Sequence, residues 1–228
     1  MDKLFIGFQY LVPQHLLSRL VGYLAETKIS WLKNLLIKSF IKQYDVDMSL
    51  ALNSDYKSYE NFNAFFTRPL KPDARPITSE PKALACPADG AISQLGDIVH
   101  GRIFQAKGQS FSAYEILGGD QATADLFQDG KFATIYLSPK DYHRLHMPLA
   151  GKLISMTYIP GDLFSVNNTT ADNVPSLFAR NERAVCLFET EAGPMAMILV
   201  GAMIVAAIET VWAGQIAPAN KAIKTVDY

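Results

Sequence analysis

Cysteine is scarce in this chain, with two in 228 residues. Cys86 and Cys186 lie far apart and without metal-ligand spacing, which argues against a disulfide scaffold or a zinc ribbon and suits two reduced, small hydrophobic residues in a cytosol-facing protein. Long apolar runs are also missing. The longest, residues 195–208, has 14 residues, a length typical of a buried element and short of the roughly 20 that cross a bilayer. The N-terminus lacks a basic stretch leading into an apolar run with a cleavage site, so neither a secretory signal nor a spanning helix is expected. No excess of positive charge exists: 21 Lys and Arg stand against 22 Asp and Glu, a net charge of -1. That balance excludes nucleic-acid binding driven by a global basic field. Internal repeats and low-complexity segments are absent as well.

What is present is hydrophobic residue, 49% of the chain, enough for a sizeable core in one large domain or a core with an appendage. The charge is unevenly placed. Residues 1–45 hold six basic side chains (Lys3, Arg19, Lys28, Lys33, Lys38, Lys42) and three acidic ones (Asp2, Glu26, Asp45), and the excess of acid falls in the rest. The same residues read as amphipathic helix. Ser30 is the expected N-cap of the clearest piece, with Trp31, Leu32, Leu35, Leu36, Phe40 and Ile41 on one side and Asn34, Lys38 and Lys42 on the other. Leu16, Leu17, Leu20, Val21 and Leu24 continue the period. A lysine-bearing face opposite a Trp/Phe/Leu face suits a helix lying in a membrane interface, and it equally suits a helical hairpin on its own core.

A proline-rich connector follows, with Arg68-Pro69 and Lys71-Pro72-Asp73-Ala74-Arg75-Pro76-Ile77, and is expected to be extended. From Ala83 onward, short β-branched or aromatic runs alternate with turn residues: 91–93, 132–137, 153–159, 184–190 and 195–208. Glu191-Ala192-Gly193-Pro194 reads as a hairpin turn. The run after it is apolar on both faces and is expected to be a central strand interrupted at Gly201. The fold class that results is α+β, with N-terminal amphipathic helices followed by a mostly antiparallel β core, a sandwich or barrel-like. The expected domains are 1–53 (helical, membrane-associating), 54–82 (connector) and 83–228 (β-rich core).

Two of the four histidines stand in Asp141-Tyr142-His143-Arg144-Leu145-His146-Met147-Pro148, directly after a strand-like run. Imidazole exchanges protons near neutrality, so general acid or base work is the first reading; the plain alternative is a structural, hydrogen-bonded ring. Pro148 argues for a loop and against helix. Cys86-Pro87-Ala88-Asp89-Gly90 offers a carboxylate in a turn, and Asp89 could fix the tautomer of His146 or His143 in an Asp-His-nucleophile relay. Gly161-Asp162-Leu163-Phe164-Ser165-Val166-Asn167 and Asn181-Glu182-Arg183 are further polar segments.

Together with Phe62-Asn63-Ala64-Phe65-Phe66-Thr67-Arg68-Pro69-Leu70-Lys71-Pro72, Gly201-Ala202 and Glu209-Thr210-Val211-Trp212-Ala213-Gly214, these segments closely resemble, in order, the bacterial phosphatidylserine decarboxylases. The resemblance implies a pyruvoyl-dependent lyase making phosphatidylethanolamine. In that family a proenzyme cuts itself at a Leu-Gly-Ser-Thr motif, and the serine becomes the pyruvoyl group of a small chain, whose ketone draws off the electrons left when carbon dioxide departs. Carried onto this sequence, Asp89 and His146 match the groups that activate the serine, and His143 matches the imidazole of the decarboxylation half. Arg144, Phe164, Ser165 and Asn167 are the candidate substrate contacts, with Arg144 and Arg183 as candidate phosphate donors. The expected partners are phosphatidylserine, an anionic membrane surface met through residues 1–45, the pyruvoyl-bearing small chain, and a second copy of the chain as a homodimer. The expected location is peripheral, on the cytoplasmic face of the cell membrane.

This chain departs from the pattern at one point. It contains no Leu-Gly-Ser; Leu117-Gly118-Gly119-Asp120 comes nearest. The pyruvoyl-forming serine is therefore expected downstream of Tyr228, and the chain alone is expected to be inactive, as a fragment, a shortened relative or one of two polypeptides. The rival readings are a serine hydrolase, which lacks a Gly-x-Ser-x-Gly elbow at Gly108-Gln109-Ser110-Phe111-Ser112, a zinc site on His143, His146 and Asp89, with no metal expected, and a catalytically inactive membrane-surface binding protein.

Overall fold

The computed structural model describes residues 2–106, 108–218 and 222–228. In chain order it runs α1 (Asp2–Leu11), α2 (Gln14–Ala25), α3 (Ser30–Tyr44), α4 (Phe62–Phe66), β1 (Ala91–Asp97), β2 (Arg102–Ala106), β3 (Gln109–Ser112), α5 (Ala113–Ile116), α6 (Gln121–Asp125), β4 (Lys131–Tyr136), β5 (Gly151–Ile159), α7 (Asn168–Asn173), α8 (Leu177–Arg180), β6 (Arg183–Thr190), β7 (Gly193–Val200), β8 (Ile208–Thr210), β9 (Gly214–Ala217) and β10 (Lys224–Asp227). The α+β class is as expected, with N-terminal helices ahead of antiparallel strands; four short helices, α5–α8, are interleaved with those strands. Among the described residues no sheet closes into a barrel; one four-stranded and three two-stranded sheets are present. The chain divides into two compact units, one of residues 1–19, 94–134 and 151–228, the other of residues 20–93 and 135–150.

The first unit is built on the sheet β10-β5-β6-β7. Thr190 and Gly193 close the β6–β7 hairpin as paired residues around Glu191-Ala192, and Gly193 takes φ +102, a conformation glycine adopts without a Cβ clash. β6 is central and β7 is an edge strand, which corrects the expectation drawn from its two apolar faces. The reason lies in packing: Ala196, Ile198 and Val200 contact the main core, while Met195, Met197 and Leu199 contact two smaller clusters. Both faces are covered while one hydrogen-bonding edge stays open, and apolarity reports faces, not edges.

The first helices are docked in an unusual sense. Gln9, only 2% exposed, accepts from the Ser165 amide at 2.9 Å, and Gln14 accepts from the Leu163 amide at 2.6 Å. His15 Nε2 meets the Gly161 carbonyl at 2.9 Å, and Ser18 Oγ accepts from the Ile204 amide at 3.0 Å. The polar side therefore faces inward. Outward stand Leu4, Phe8 and Leu11 on α1, with Leu4 81% and Leu11 85% exposed, and Leu16, Leu20, Tyr23 and Leu24 on α2. Those spacings place each set on one helix face, the reverse of the usual apolar-in arrangement.

In the second unit, α3 buries Ile37 among Val46, Tyr59 and Phe65, with Phe40 and Phe62 packed against them. Ser30 is the first helical residue and Ile29 holds the cap position without a side-chain bond, so the expected serine cap is not made. Lys33, expected on no buried face, is buried and donates to the Lys57 carbonyl at 2.7 Å. The connector is not extended throughout. Asn61 accepts from the Ala64 amide at 2.8 Å and caps the start of α4, a favoured use of asparagine at a helix N-terminus, and the turn buries Phe65 with Phe62 and Phe66 partly covered.

Candidate active site

The site belongs to the second unit. Residues 85–90 and 137–148 carry no helix or strand, as the prolines predict, and are tied side by side: the Ala85 amide donates to the Pro148 carbonyl at 2.9 Å and the His146 amide to the Pro87 carbonyl at 2.8 Å. Asp89 and His146 are thus carried by adjoining strands of loop. Gly90 follows at φ +149, where a Cβ would lie 2.3 Å from the Tyr136 carbonyl oxygen. Only glycine lets the turn pass this close to the end of β4.

A cleft of about 560 Å³ opens here, lined by Arg75, Asp89, Gly90, Tyr136, Ser138 and Asp141 among others. A smaller hollow of about 190 Å³ shares Arg75, Asp89 and Asp141 and adds Arg68 and Tyr142. Asp89 lies in both, yet its carboxylate is bound by Arg75: Nε donates to Oδ1 at 2.8 Å and to Oδ2 at 3.0 Å, and Nη2 donates to Oδ2. The carboxylate raises the Arg75 pKa, chiefly through these bonds. The expected direct bond from Asp89 to an imidazole is not among those formed by the described residues. His146 Nε2 instead shares a hydrogen bond of 3.0 Å with the Tyr142 hydroxyl, and the two rings stack at 5.6 Å with 20° between planes.

His143 lies against the Phe66 ring, centroids 4.0 Å apart. Its Nδ1 is 2.9 Å from the Asp141 carbonyl, an acceptor only, so Nδ1 carries the proton and Nε2 the lone pair. Burial pushes the His143 pKa below its ordinary 6.5, opposed by the bond to Asp141. This ring is neutral at pH 7. Asp141 is itself fixed, accepting from the Ser138 amide at 2.6 Å. Each histidine is therefore one hydrogen bond from a residue lining the cleft or its smaller neighbour.

Other predicted residues have different surroundings. Arg144 is exposed and donates Nε to the Thr67 carbonyl at 2.6 Å. Phe164 is a core side chain, 2% exposed, edge-on to Tyr10 at 4.9 Å. Asn167 caps α7, accepting from the Thr170 amide at 3.0 Å, and the Ser165 amide is the one held by Gln9. Arg183 is corrected outright as a phosphate donor. Buried to 3% exposure, its guanidinium donates to the carbonyls of Ile116, Ala179, Asn181 and Glu115, and burial lowers its pKa to about 10.

Sequence reasoning missed Arg75, Tyr142 and Arg68. The spacing of Tyr142 and His146 is a weak signal, since i, i+4 contact needs a turn that the sequence does not announce. Arg68 is 3% exposed, donates to the Lys140 carbonyl at 3.1 Å and leaves its buried Nε without a partner. Among the described residues, no group of three or more His, Cys, Asp or Glu is placed to hold a metal ion.

On this α+β scaffold a loop-built cleft holds a clamped carboxylate, and two imidazoles are each hydrogen-bonded to a residue that lines the cleft or its smaller neighbour. Residues 62–225 match the family model described as phosphatidylserine decarboxylase, and residues 4–45 match one described as PSD. The chain is 66% identical over 227 residues to a phosphatidylserine decarboxylase proenzyme of Pseudomonas putida (strain W619), covering 100% of this chain and 79% of that protein. It is also 66% identical, with the same coverage, to that of Ectopseudomonas mendocina (strain ymp), and 63% identical to that of Pseudomonas aeruginosa (strain LESB58), covering 100% of this chain and 78% of the relative. The chain belongs to the phosphatidylserine decarboxylase family.

Proposed function

We propose that this chain is the large-chain portion of an enzyme that decarboxylates phosphatidylserine to phosphatidylethanolamine. The observation that supports this reading is that Asp89 lines the cleft and His143 and His146 each hydrogen-bond a residue lining it or its smaller neighbour, in a chain whose relatives bear that enzyme's name. A pyruvoyl group, when bound, supplies a ketone that accepts the electron pair released with carbon dioxide. The residues present fit such a group: the cleft is roomy and open, each imidazole is hydrogen-bonded to a residue of its lining or of the smaller hollow's, and the cationic Arg68, Arg75 and Lys140 that line the two would suit an anionic substrate.

The roles follow from local chemistry. His146 is the base for a serine, which is a weak nucleophile without one. His143, neutral and with its lone pair on Nε2, takes up and returns a proton there during decarboxylation. Asp89 supplies negative charge beside them. Arg144 spends its Nε on the Thr67 carbonyl and is the candidate phosphate donor of the second unit; Phe164, Ser165 and Asn167 are candidate substrate contacts of the first.

The substrate is a lipid, and the inverted α1 and α2 suit it. Among the described residues no helix is long and apolar enough to cross a membrane, so the exposed Leu4, Phe8, Leu11, Leu16 and Leu20 would enter the interface from one side. Each such side chain gains about 1.5–3 kcal/mol if fully buried, and Lys3 and Arg19 add about 1 kcal/mol each at an anionic surface. The proposed location is the cytoplasmic face of the cell membrane.

Conversion of phosphatidylserine should be assayed for this chain alone and for this chain joined to the remaining C-terminal part of the P. putida relative. Activity in the joined form only is the expected result. Inactivity of both, with binding to anionic vesicles intact, would favour the second reading that the same exposed helix faces support, a membrane-surface binding protein without catalysis.

A further inference from the structure

We propose that the hollow of about 190 Å³ beside the cleft is an oxyanion site, in which Arg68 and Lys140 receive a phosphate group, that of a lipid headgroup or the free ion. The starting point is a buried cation without a counterpart. A guanidinium carries five N–H donors. Arg68 spends one on the Lys140 carbonyl at 3.1 Å and one, weakly, on the Phe65 carbonyl at 3.5 Å, and its Nε has no partner. The residue is 3% exposed, with its guanidinium 5.3 Å from the centroid of the Phe65 ring. Arg183 is as deeply buried, yet four carbonyls take up its donors. Among the described residues no carboxylate forms an ion pair with Arg68, and burial lowers its pKa more than the acidic groups around it raise it. A charge this buried is costly until an acceptor meets it.

A second cation lines the same hollow. The ammonium of Lys140 is exposed and makes no ion pair among the described residues. The acids of the lining do not meet this need. Asp45 and Asp47 are exposed, where water and salt screen them, and Asp47 and Asp141 already accept from the Ser49 and Ser138 amides, at 2.8 and 2.6 Å. The groups left over are N–H donors on a planar fork and a mobile point charge, the two side chains that phosphate oxygens take best. Arg144 does not line this hollow. Lys140 and Asp141 line the larger cleft as well, so a lipid phosphate seated here leaves the serine part of the headgroup facing that cleft. This last placement rests on the decarboxylase reading; the oxyanion site does not.

Calorimetric titration of the 228-residue chain with inorganic phosphate, with glycerophosphoserine and with serine, at constant ionic strength, tests this without any turnover, so a negative result leaves the decarboxylase reading standing. One site is expected, filled by the phosphate-bearing probes and not by serine. Tighter binding of glycerophosphoserine assigns it to a lipid headgroup, and tighter binding of inorganic phosphate to the free ion. Lys140→Gln, a change at an exposed side chain, should weaken binding about fivefold. Arg68→Met keeps an unbranched side chain and removes the charge; it should abolish binding. No binding of either phosphate-bearing probe would overturn the proposal, and so would serine binding as tightly as they do. Unchanged affinity in Lys140→Gln would do the same, a measurement that needs no buried variant to fold.

Discussion

In the stretch from Gly161 to Arg183, Asn181 donates to the carbonyls of Phe164 and Gly201 and accepts from the Phe164 amide, all within 3.1 Å, and Gln105 braces Ala171, Val174 and Leu177 in the same manner. Along residues 85–90 and 137–148, by contrast, the polar side chains meet one another or a partly exposed cation: Asp89 meets Arg75, and His146 meets Tyr142. Both regions read alike as polar, turn-rich sequence. The difference is that the first uses its side chains to satisfy buried backbone, which cannot be left unpaired, while the second keeps titratable atoms near a cleft, where they remain available for chemistry.

The largest expected effect comes from breaking the first region. Arg183→Ala should destabilise the protein by about 3–5 kcal/mol in a denaturant titration, because four carbonyls, in two buried and two part-buried bonds, lose their donors together; a loss below about 1 kcal/mol would show that water replaces the guanidinium freely. Smaller is Arg75→Ala, which releases an ion pair whose side chains are 48% and 20% exposed. It should cost on the order of 1 kcal/mol or less, and a loss as large as that of Arg183 would erase the contrast between the regions.

The smallest effect is confined to a pH window. Burial holds the folded-state pKa of His143 below 6.5, against a rise from its bond to Asp141 and a further lowering by Arg68. Between those two values the unfolded chain binds a proton that the folded chain refuses, so stability contributed by the neutral ring is complete above pH 6.5 and falls as the pH drops toward the folded value. His143→Gln should flatten that part of the profile in unfolding measurements made from pH 7.5 down to 5. An unchanged slope would mean that the ring is solvated in solution.

Much of this was legible beforehand in particular residues. Glu191-Ala192-Gly193-Pro194 announced the β6–β7 hairpin, and Pro87 and Pro148 announced loops around Asp89 and the histidines. Short-range patterns failed where long-range partners decide. The apolar faces of β7 could not reveal its edge position, and the periodicity of α1 and α2 could not say which face is buried, since Gln9 and Gln14 turn inward only because the amides of Ser165 and Leu163 await them.

The sequence by itself determined the helical N-terminus and the antiparallel strands that follow it, the loop character of the histidine segment and the family to which the chain belongs, because proline, period and motif are properties of neighbours along the chain. Only the tertiary structure decided that Arg183 is an internal brace, that Arg75 holds Asp89 and that Tyr142 meets His146. Hydrogen bonds and burial between residues distant in sequence are set by the whole fold, and no local pattern encodes them.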